Sequence, residues 1–347
     1  LRSPDQDELL PQMSVCLSGK RMAPRLRAFG LRSESNGGSE HRLRCRLGGY
    51  RPGRRATVRF RNGESSTHLC GKTFRDDRGQ RVIERHLRVS EQLRRRCGSS
   101  VRVPAPVGFD HELNMALFVW MPGVQAETLG RGGDDLLRAA VEVLSHVHEL
   151  PGTDNVGFGP EDEYAVVDRW RKCIGRLMPE AAMEADELAV RLEAASKQAR
   201  IKERTTIHRD FYEKQIILAP QCITLLDLDT LACGDVCVDL GNFLAHLLLR
   251  ELSARGGAES FTALADRFLA GYEAHRGRID RANLSFYTAS SLFRLGAVHA
   301  LRTLTAPFRH VLWNTAMQVL ACGEFDTIAL ADSLHGELDG SLNRKRR

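Results

Sequence analysis

The sequence predicts an α+β protein of two lobes, a small antiparallel β lobe carrying one helix and a larger, mainly α-helical lobe. Three observations carry this. Five short β-type runs lie between His41 and Met121, with a single helical stretch after the third. Met121-Pro122-Gly123 then breaks the pattern. Helical periodicity dominates the rest, apart from one strand-rich interruption between Thr205 and Leu240. The expected division is an N-terminal extension or linker at 1–40, a β lobe at 41–121 and a helical lobe at 122–347.

In the extension, DQDELLPQM reads as a short helix and SESNGGSE as a linker by composition. HRLRCRL alternates strictly, with Leu43, Cys45 and Leu47 on one face of a half-buried strand. GGYRPG makes a turn into ATVRFRNG, the second strand. STHLCGKTF is the third, and its two-residue period puts Cys70, Lys72 and Phe74 on one face. A helix over Arg81–Arg96 follows, with Ile83, Leu87 and Glu91 along one side. Two further strands lie near PAPVGF and NMALFVW. Beyond Gly123, Asp134 reads as the N-cap of a helix with Leu137, Val141, Leu144 and Val147 inward. Further helical patterns fall near 165–178, 180–200, 239–252, 259–275 and 285–304.

Composition narrows the function classes. Only seven of the 50 basic residues are Lys, and the net charge of +6 is spread along the chain, so no nucleic-acid partner is expected. Nine scattered cysteines read as reduced thiols, and Cys233 and Cys237 lack the second pair a zinc site needs. No apolar run approaches the ~18 residues of a membrane span. The start lacks a hydrophobic signal region and an initiator Met, so a truncated or trimmed chain is expected, and the reduced thiols suggest a cytoplasmic one.

The chemistry concentrates at the interruption. His208-Arg209-Asp210 ends one apolar run, Gln215 lies five residues beyond Asp210, and Asp227 and Asp229 follow the next run. Two carboxylates on one side repel unless a cation lies between them, as Mg²⁺ would. Upstream, Lys72 sits on the inward face of the third strand, and Glu91, with Glu84 as a rival, lies on the next helix where it could orient the ammonium. Phosphoryl transfer needs this set: cations on phosphates, oxygen ligands for Mg²⁺ and a base beside a hydroxyl.

Lys72, HRDFYEKQ and LLDLD together resemble the protein-kinase-like fold, in its aminoglycoside phosphotransferase and choline kinase-like branch, over Arg42–His310. The resemblance implies a bilobal kinase with ATP or GTP as donor and a small-molecule hydroxyl as acceptor. It implies that Asp210 orients or deprotonates the acceptor hydroxyl and that Gln215 and Asp227 hold Mg²⁺; Asp229, on the same side as Asp227, joins them as a candidate ligand. Lys72 would meet the nucleotide phosphates and Glu91 would anchor it, while Phe118, Val119, Trp120 and Met121 would line the base. Asp239 in GDVCVDLGNF matches the family's structural acid beneath the catalytic loop.

Two features depart from the family pattern. Gln stands at 215 where Asn is usual, and GGYRPGRR replaces a G-x-G-x-x-G phosphate loop. They leave open an alternative, a catalytically silent nucleotide-binding scaffold on the same fold. A protein kinase is disfavoured, because Asp239 lies only twelve residues beyond Asp227 and no A-P-E follows. For the acceptor, Glu161-Asp162-Glu163 and the acids of 180–187 suggest a cationic aminoglycoside or amino-alcohol, with Trp170, Trp313 and Tyr287 as candidates for an aromatic cage. Sugars, hydroxy amino acids and macrolides stay open, as does the oligomeric state.

Overall fold

The computed structural model describes residues 3–30, 43–62, 68–126, 133–152, 156–253, 260–302, 308–327 and 330. The SESNGGSE linker and the basic tail at 344–347 lie outside them. The chain forms two compact units. One comprises Leu1–Gly123 and Ala219–Asp229, the other Val124–Leu218 and Thr230–Arg347.

The first unit is built on a five-stranded sheet of β1 (Leu43–Arg51), β2 (Arg55–Asn62), β3 (His68–Phe74), β5 (Pro106–Asp110) and β6 (Met115–Val119), in the order β1-β2-β3-β6-β5. Every pairing is antiparallel. Each face of the sheet is covered. On one, Ala56, Val58, Phe60, Leu69, Met115 and Leu117 pack against Leu10, Met13, Cys16, Met22 and Leu26 of the N-terminal segment. On the other, Phe74, Ala116 and Phe118 pack against Val82 of α3 (Arg78–Cys97).

The N-terminal segment is therefore part of this core, which corrects its assignment as an extension. It runs through α1 (Met13–Cys16) and α2 (Gly19–Ala28), the latter capped by the Ser18 hydroxyl. Gln12 stitches it to β3, donating to the Thr73 hydroxyl at 2.9 Å and the Phe74 carbonyl at 3.1 Å. Burying a Leu or Met here contributes roughly 1.5–3 kcal/mol per side chain. DELLPQM carries too few apolar residues in too short a run to announce this role.

A second difference is that Ala219–Asp229 joins the first unit rather than the helical lobe. Two-residue β4 (Val101–Arg102), just after α3, pairs in parallel with β10 (Cys222–Leu225). The Ile223 amide donates to the Ser100 carbonyl at 2.7 Å. The segment that ends in Asp227 and Asp229 is thus docked on the unit that carries Lys72.

The second unit is mainly helical: α4 (Asp134–Val147), α5 (Pro160–Leu177), α6 (Ala182–Gln198), α7 (Cys237–Ser253), α8 (Phe261–Arg276), α9 (Arg281–Arg302) and α10 (Phe308–Ala321). Gly133, not Asp134, is the N-cap of α4, and Leu137, Val141, Leu144 and Val147 are buried as expected. Helix α10 was not anticipated, although Trp313 fixes it by stacking on Phe293 of α9 at 5.4 Å. Among its strands, β7 (Val124–Gln125) pairs with β9 (Ile216–Ala219), and β8 (Thr205–Ile207) with β11 (Ala232–Gly234), both antiparallel. No helix among the described residues is long and apolar enough to cross a membrane. All nine cysteines are free of disulfides.

Candidate active site

In the first unit the site centres on Lys72. Thr57 of β2 lies opposite Lys72, so Arg55, two residues back, shares its face of the sheet. Asp227 adopts a left-handed conformation at φ +56, and Leu228–Thr230 forms one 3₁₀ turn. This curl brings both acids to one ammonium: Lys72 Nζ lies 2.7 Å from Asp227 Oδ1 and 2.7 Å from Asp229 Oδ2. Arg55 forks over the same pair, through Nη1 to Asp229 Oδ2 and Nη2 to Asp227 Oδ2 at 3.4 Å. Two carboxylates face two fixed cations.

Glu91 does not anchor Lys72. It is half-exposed and accepts from Arg94 at 3.1 Å and Arg95 at 2.7 Å, which hold its carboxyl below the usual range. The reason is the orientation of α3. Its buried stripe is Val82, His86, Val89 and Leu93, whereas Leu87 is 55% exposed. Because that stripe contains a His, apolar periodicity alone selected the neighbouring face with Ile83 and Leu87. The rival Glu84 is exposed too, accepting from Gln80 at 3.3 Å. What α3 offers instead is Arg85, donating to the carbonyls of Leu228 at 2.8 Å and Asp229 at 2.7 Å. A cation on the helix holds the turn that carries the acids. Neither Arg85 nor Arg55 was singled out from sequence, because their partners lie more than 140 residues away.

The glycine-rich stretch forms no long flap. Arg51 pairs with Arg55, and the Arg54 amide closes the turn on the Arg51 carbonyl at 3.0 Å. Gly53 takes φ +64, a left-handed value suited to glycine. Its amide and the Tyr50 hydroxyl each donate to Asp7 Oδ2 at 2.7 Å. The hairpin tip is pinned.

The strand expected to line the base is edged into the sheet. Phe118 is buried against His86 at 4.5 Å, and the Val119 and Trp120 amides donate to Ala105 and His68 at 2.9 Å each. Arg59 stacks over Trp120 at 4.1 Å, and Met121 is half-buried.

In the second unit the His208–Asp210 loop follows β8. Asp239, in the first turn of α7 and fully buried, accepts the His208 amide at 2.7 Å and the Arg209 amide at 2.6 Å. Buried His148 places Nε2 3.0 Å from Asp239 Oδ2 and Nδ1 2.7 Å from the Tyr272 hydroxyl. Burial pushes the Asp239 carboxyl up, but His148 and the His208 amide outweigh it and hold it below 3.8. The loop is fixed elsewhere too: the Thr230 hydroxyl donates to the His208 carbonyl at 2.8 Å, and Asn242 Nδ2 to the Phe211 carbonyl at 2.8 Å. Arg209, at φ +70, lays its guanidinium 3.7 Å over the Phe158 ring. Asp210 is half-exposed, and its carboxylate has no partner among the described residues. A rigid backbone therefore presents an uncommitted carboxylate, as a general base requires. Gln215 is buried at the end of a 3₁₀ turn, Glu213–Gln215.

Several of the acids expected to attract a cationic acceptor are engaged within the fold. Asp162 accepts the Gly159 amide at 2.9 Å as a helix cap, and buried Glu163 accepts from Ser290 at 2.8 Å. Asp186 pairs with Arg171 and Glu187 with Arg191. Trp313 and Tyr287 are each 1% exposed, and so form no cage.

The donor set suits Mg²⁺. The Asp227–Asp229 pair supplies hard carboxylate oxygens, and Asp229 Oδ1 is buried with no hydrogen-bond partner among the described residues. A buried lone pair left unsatisfied costs ~1–3 kcal/mol, which a bound cation would relieve.

The profile of the phosphotransferase enzyme family matches residues 48–286. The chain belongs to this family. By family it is a small-molecule phosphotransferase. Solved structures share the fold of this phosphotransferase at low identity. A protein from Ralstonia eutropha JMP134, described as an aminoglycoside phosphotransferase by similarity, is 17% identical, with a TM-score of 0.53 over 89% of this chain and 98% of its own. Choline kinase LicA from Streptococcus pneumoniae is 13% identical, with a TM-score of 0.56 over 87% and 99%. A spectinomycin phosphotransferase, solved with ADP and spectinomycin, is 12% identical, with a TM-score of 0.54 over 84% and 94%. No curated protein matches the chain.

Proposed function

We propose that this phosphotransferase is a Mg²⁺-dependent kinase that moves the γ-phosphoryl of ATP to a hydroxyl of a small molecule. The observation that carries the reading is the Asp227–Asp229 pair gathered on Lys72, with a buried carboxylate oxygen left over. Lys72 would bind the nucleotide phosphates when they take the place of its carboxylate partners. Asp227, Asp229 and the carbonyl of Gln215 would hold the metal, which supplies charge neutralisation for the transferring group. Phe118–Met121 would line the adenine. Asp210 would orient the acceptor hydroxyl and take its proton, a task suited to a carboxylate fixed by the Asp239 clamp. ADP and AMP in neighbouring structures favour an adenine nucleotide.

The test is a thermal-shift titration with ATP, with and without Mg²⁺, followed by ATP-turnover assays on choline, ethanolamine, spectinomycin and a macrolide. A nucleotide at a hundred times its Kd stabilises by about 2.7 kcal/mol, which is readily seen. Asp210→Asn should keep that shift and lose roughly 10²–10⁴-fold in kcat. Undiminished turnover in this variant would remove Asp210 from the mechanism. The absence of any Mg²⁺-dependent shift would remove the kinase reading itself.

A further inference from the structure

We infer that Arg55 is a built-in competitor for the metal: its guanidinium occupies the Asp227–Asp229 pair and must release it before a divalent cation can bind. The inference rests on reading these two acids as the metal ligands.

The oxygens show why. Asp227 Oδ1 and Asp229 Oδ2 are both 2.7 Å from Lys72 Nζ. Arg55 reaches Asp229 Oδ2 as well, and Asp227 Oδ2 at 3.4 Å. Among the described residues, Asp229 Oδ1 alone of the four oxygens has no partner. A cation bridging both acids needs an oxygen from each, and Asp227 has none that is uncommitted. The longest contact in the group, from Arg55 Nη2 to Asp227 Oδ2, is the one to open.

Charge points the same way. Two carboxylates against one ammonium and one guanidinium are balanced, so an incoming divalent cation meets no net negative charge. Arg keeps its proton at any working pH, so this competitor cannot be titrated away. Nor can the backbone carry Arg55 off easily, because it opens β2 directly after the turn that Asp7 pins. Release must come from side-chain rotation toward another anion. A polyphosphate is the natural alternative, because the guanidinium fork matches phosphate oxygens as well as carboxylates. Arg55 thereby couples metal entry to nucleotide phosphates, holding affinity for free metal low.

The experiment is a Mn²⁺ titration of the full chain without nucleotide, read from the electron paramagnetic resonance signal of free aquo-Mn²⁺. Wild type, Arg55→Gln, Arg55→Met and Asp227→Asn are compared, each first checked for a cooperative melt. The expected result is Mn²⁺ binding at least tenfold tighter in Arg55→Gln than in wild type, and weakened in Asp227→Asn. Arg55→Met keeps the apolar stem and repeats the test if the Gln variant does not fold. Equal or weaker binding in the Arg55 variants, with Asp227→Asn still weakening it, overturns the competition and leaves the metal site standing. No Mn²⁺ binding in any variant overturns both.

Discussion

The Arg209 amide donates to Asp239 Oδ1 at 2.6 Å while Arg209 itself sits at φ +70. A left-handed non-glycine residue costs about 1–2 kcal/mol, and the buried carboxylate offsets it by accepting two consecutive amides. The same acid therefore stabilises the helical unit and fixes the direction in which Asp210 points.

Asp239→Asn should expose this dual role. The amide can accept at one position but presents a donor at the other, against a backbone N–H. We expect a loss of about 2–4 kcal/mol in urea unfolding, together with a fall in kcat. The pH dependence has a definite sign. The Asp239 carboxyl is held below 3.8 in the fold, so its stabilisation is complete above that value and disappears as pH falls through the native-state pKa. The variant should lack this part of the acid limb. Unchanged stability at neutral pH would remove the clamp from the account.

His86 supplies a second pH signature, in the other unit. Its ring is buried beside Phe118, with Nδ1 2.8 Å from the Val82 carbonyl. Burial pushes its pKa down from 6.5 to about 4. The unfolded chain then takes up a proton first as pH falls, so stability declines between about 6.5 and about 4. The shift is worth about 3 kcal/mol at the low end. His86→Leu should flatten part of the fall in melting temperature across this range. His246, pushed by burial to about 3, leaves the remainder. An unaltered slope in His86→Leu would show that the ring is hydrated in solution.

The strands of the sheet and the order Lys, H-R-D, Gln and D-L-D were legible because each is local: alternation marks Leu43, Cys45 and Leu47, and spacing marks Asp210 and Gln215. What could not be read depended on register or on which way a helix turns. Lys72 and Arg55 share a face only once β2 is aligned with β3, Thr57 opposite Lys72. Glu91 misled because a buried His interrupts the apolar stripe of α3, rotating the apparent face by about one residue (~100°). Leu10, Met13 and Met22 joined the sheet's core unannounced, because nothing in a short amphipathic segment says which surface covers it. Likewise Asp162 and Glu163 looked like part of a charged patch until their helix-cap and interhelix partners were visible.

Gly241 gives the sharpest packing test. A Cβ placed there would lie 2.7 Å from the Thr288 amide nitrogen and 2.7 Å from the Tyr287 carbonyl carbon. Both are backbone atoms of α9, and helix backbone cannot step aside as a side chain can. Gly241→Ala must therefore push α7 away from α9. Helix α7 carries Asp239 two residues earlier and Asn242 one residue later, and both hold the loop of Asp210. We expect a loss of about 1–3 kcal/mol from overpacking, and reduced kcat with nucleotide binding kept. Gly175→Ala is the matched control. Its Cβ meets nothing within 4 Å on an exposed face of α5, so helix propensity alone should raise stability by about 0.5–1 kcal/mol. Melting temperatures of the two variants that move in the same direction would contradict the close α7–α9 approach.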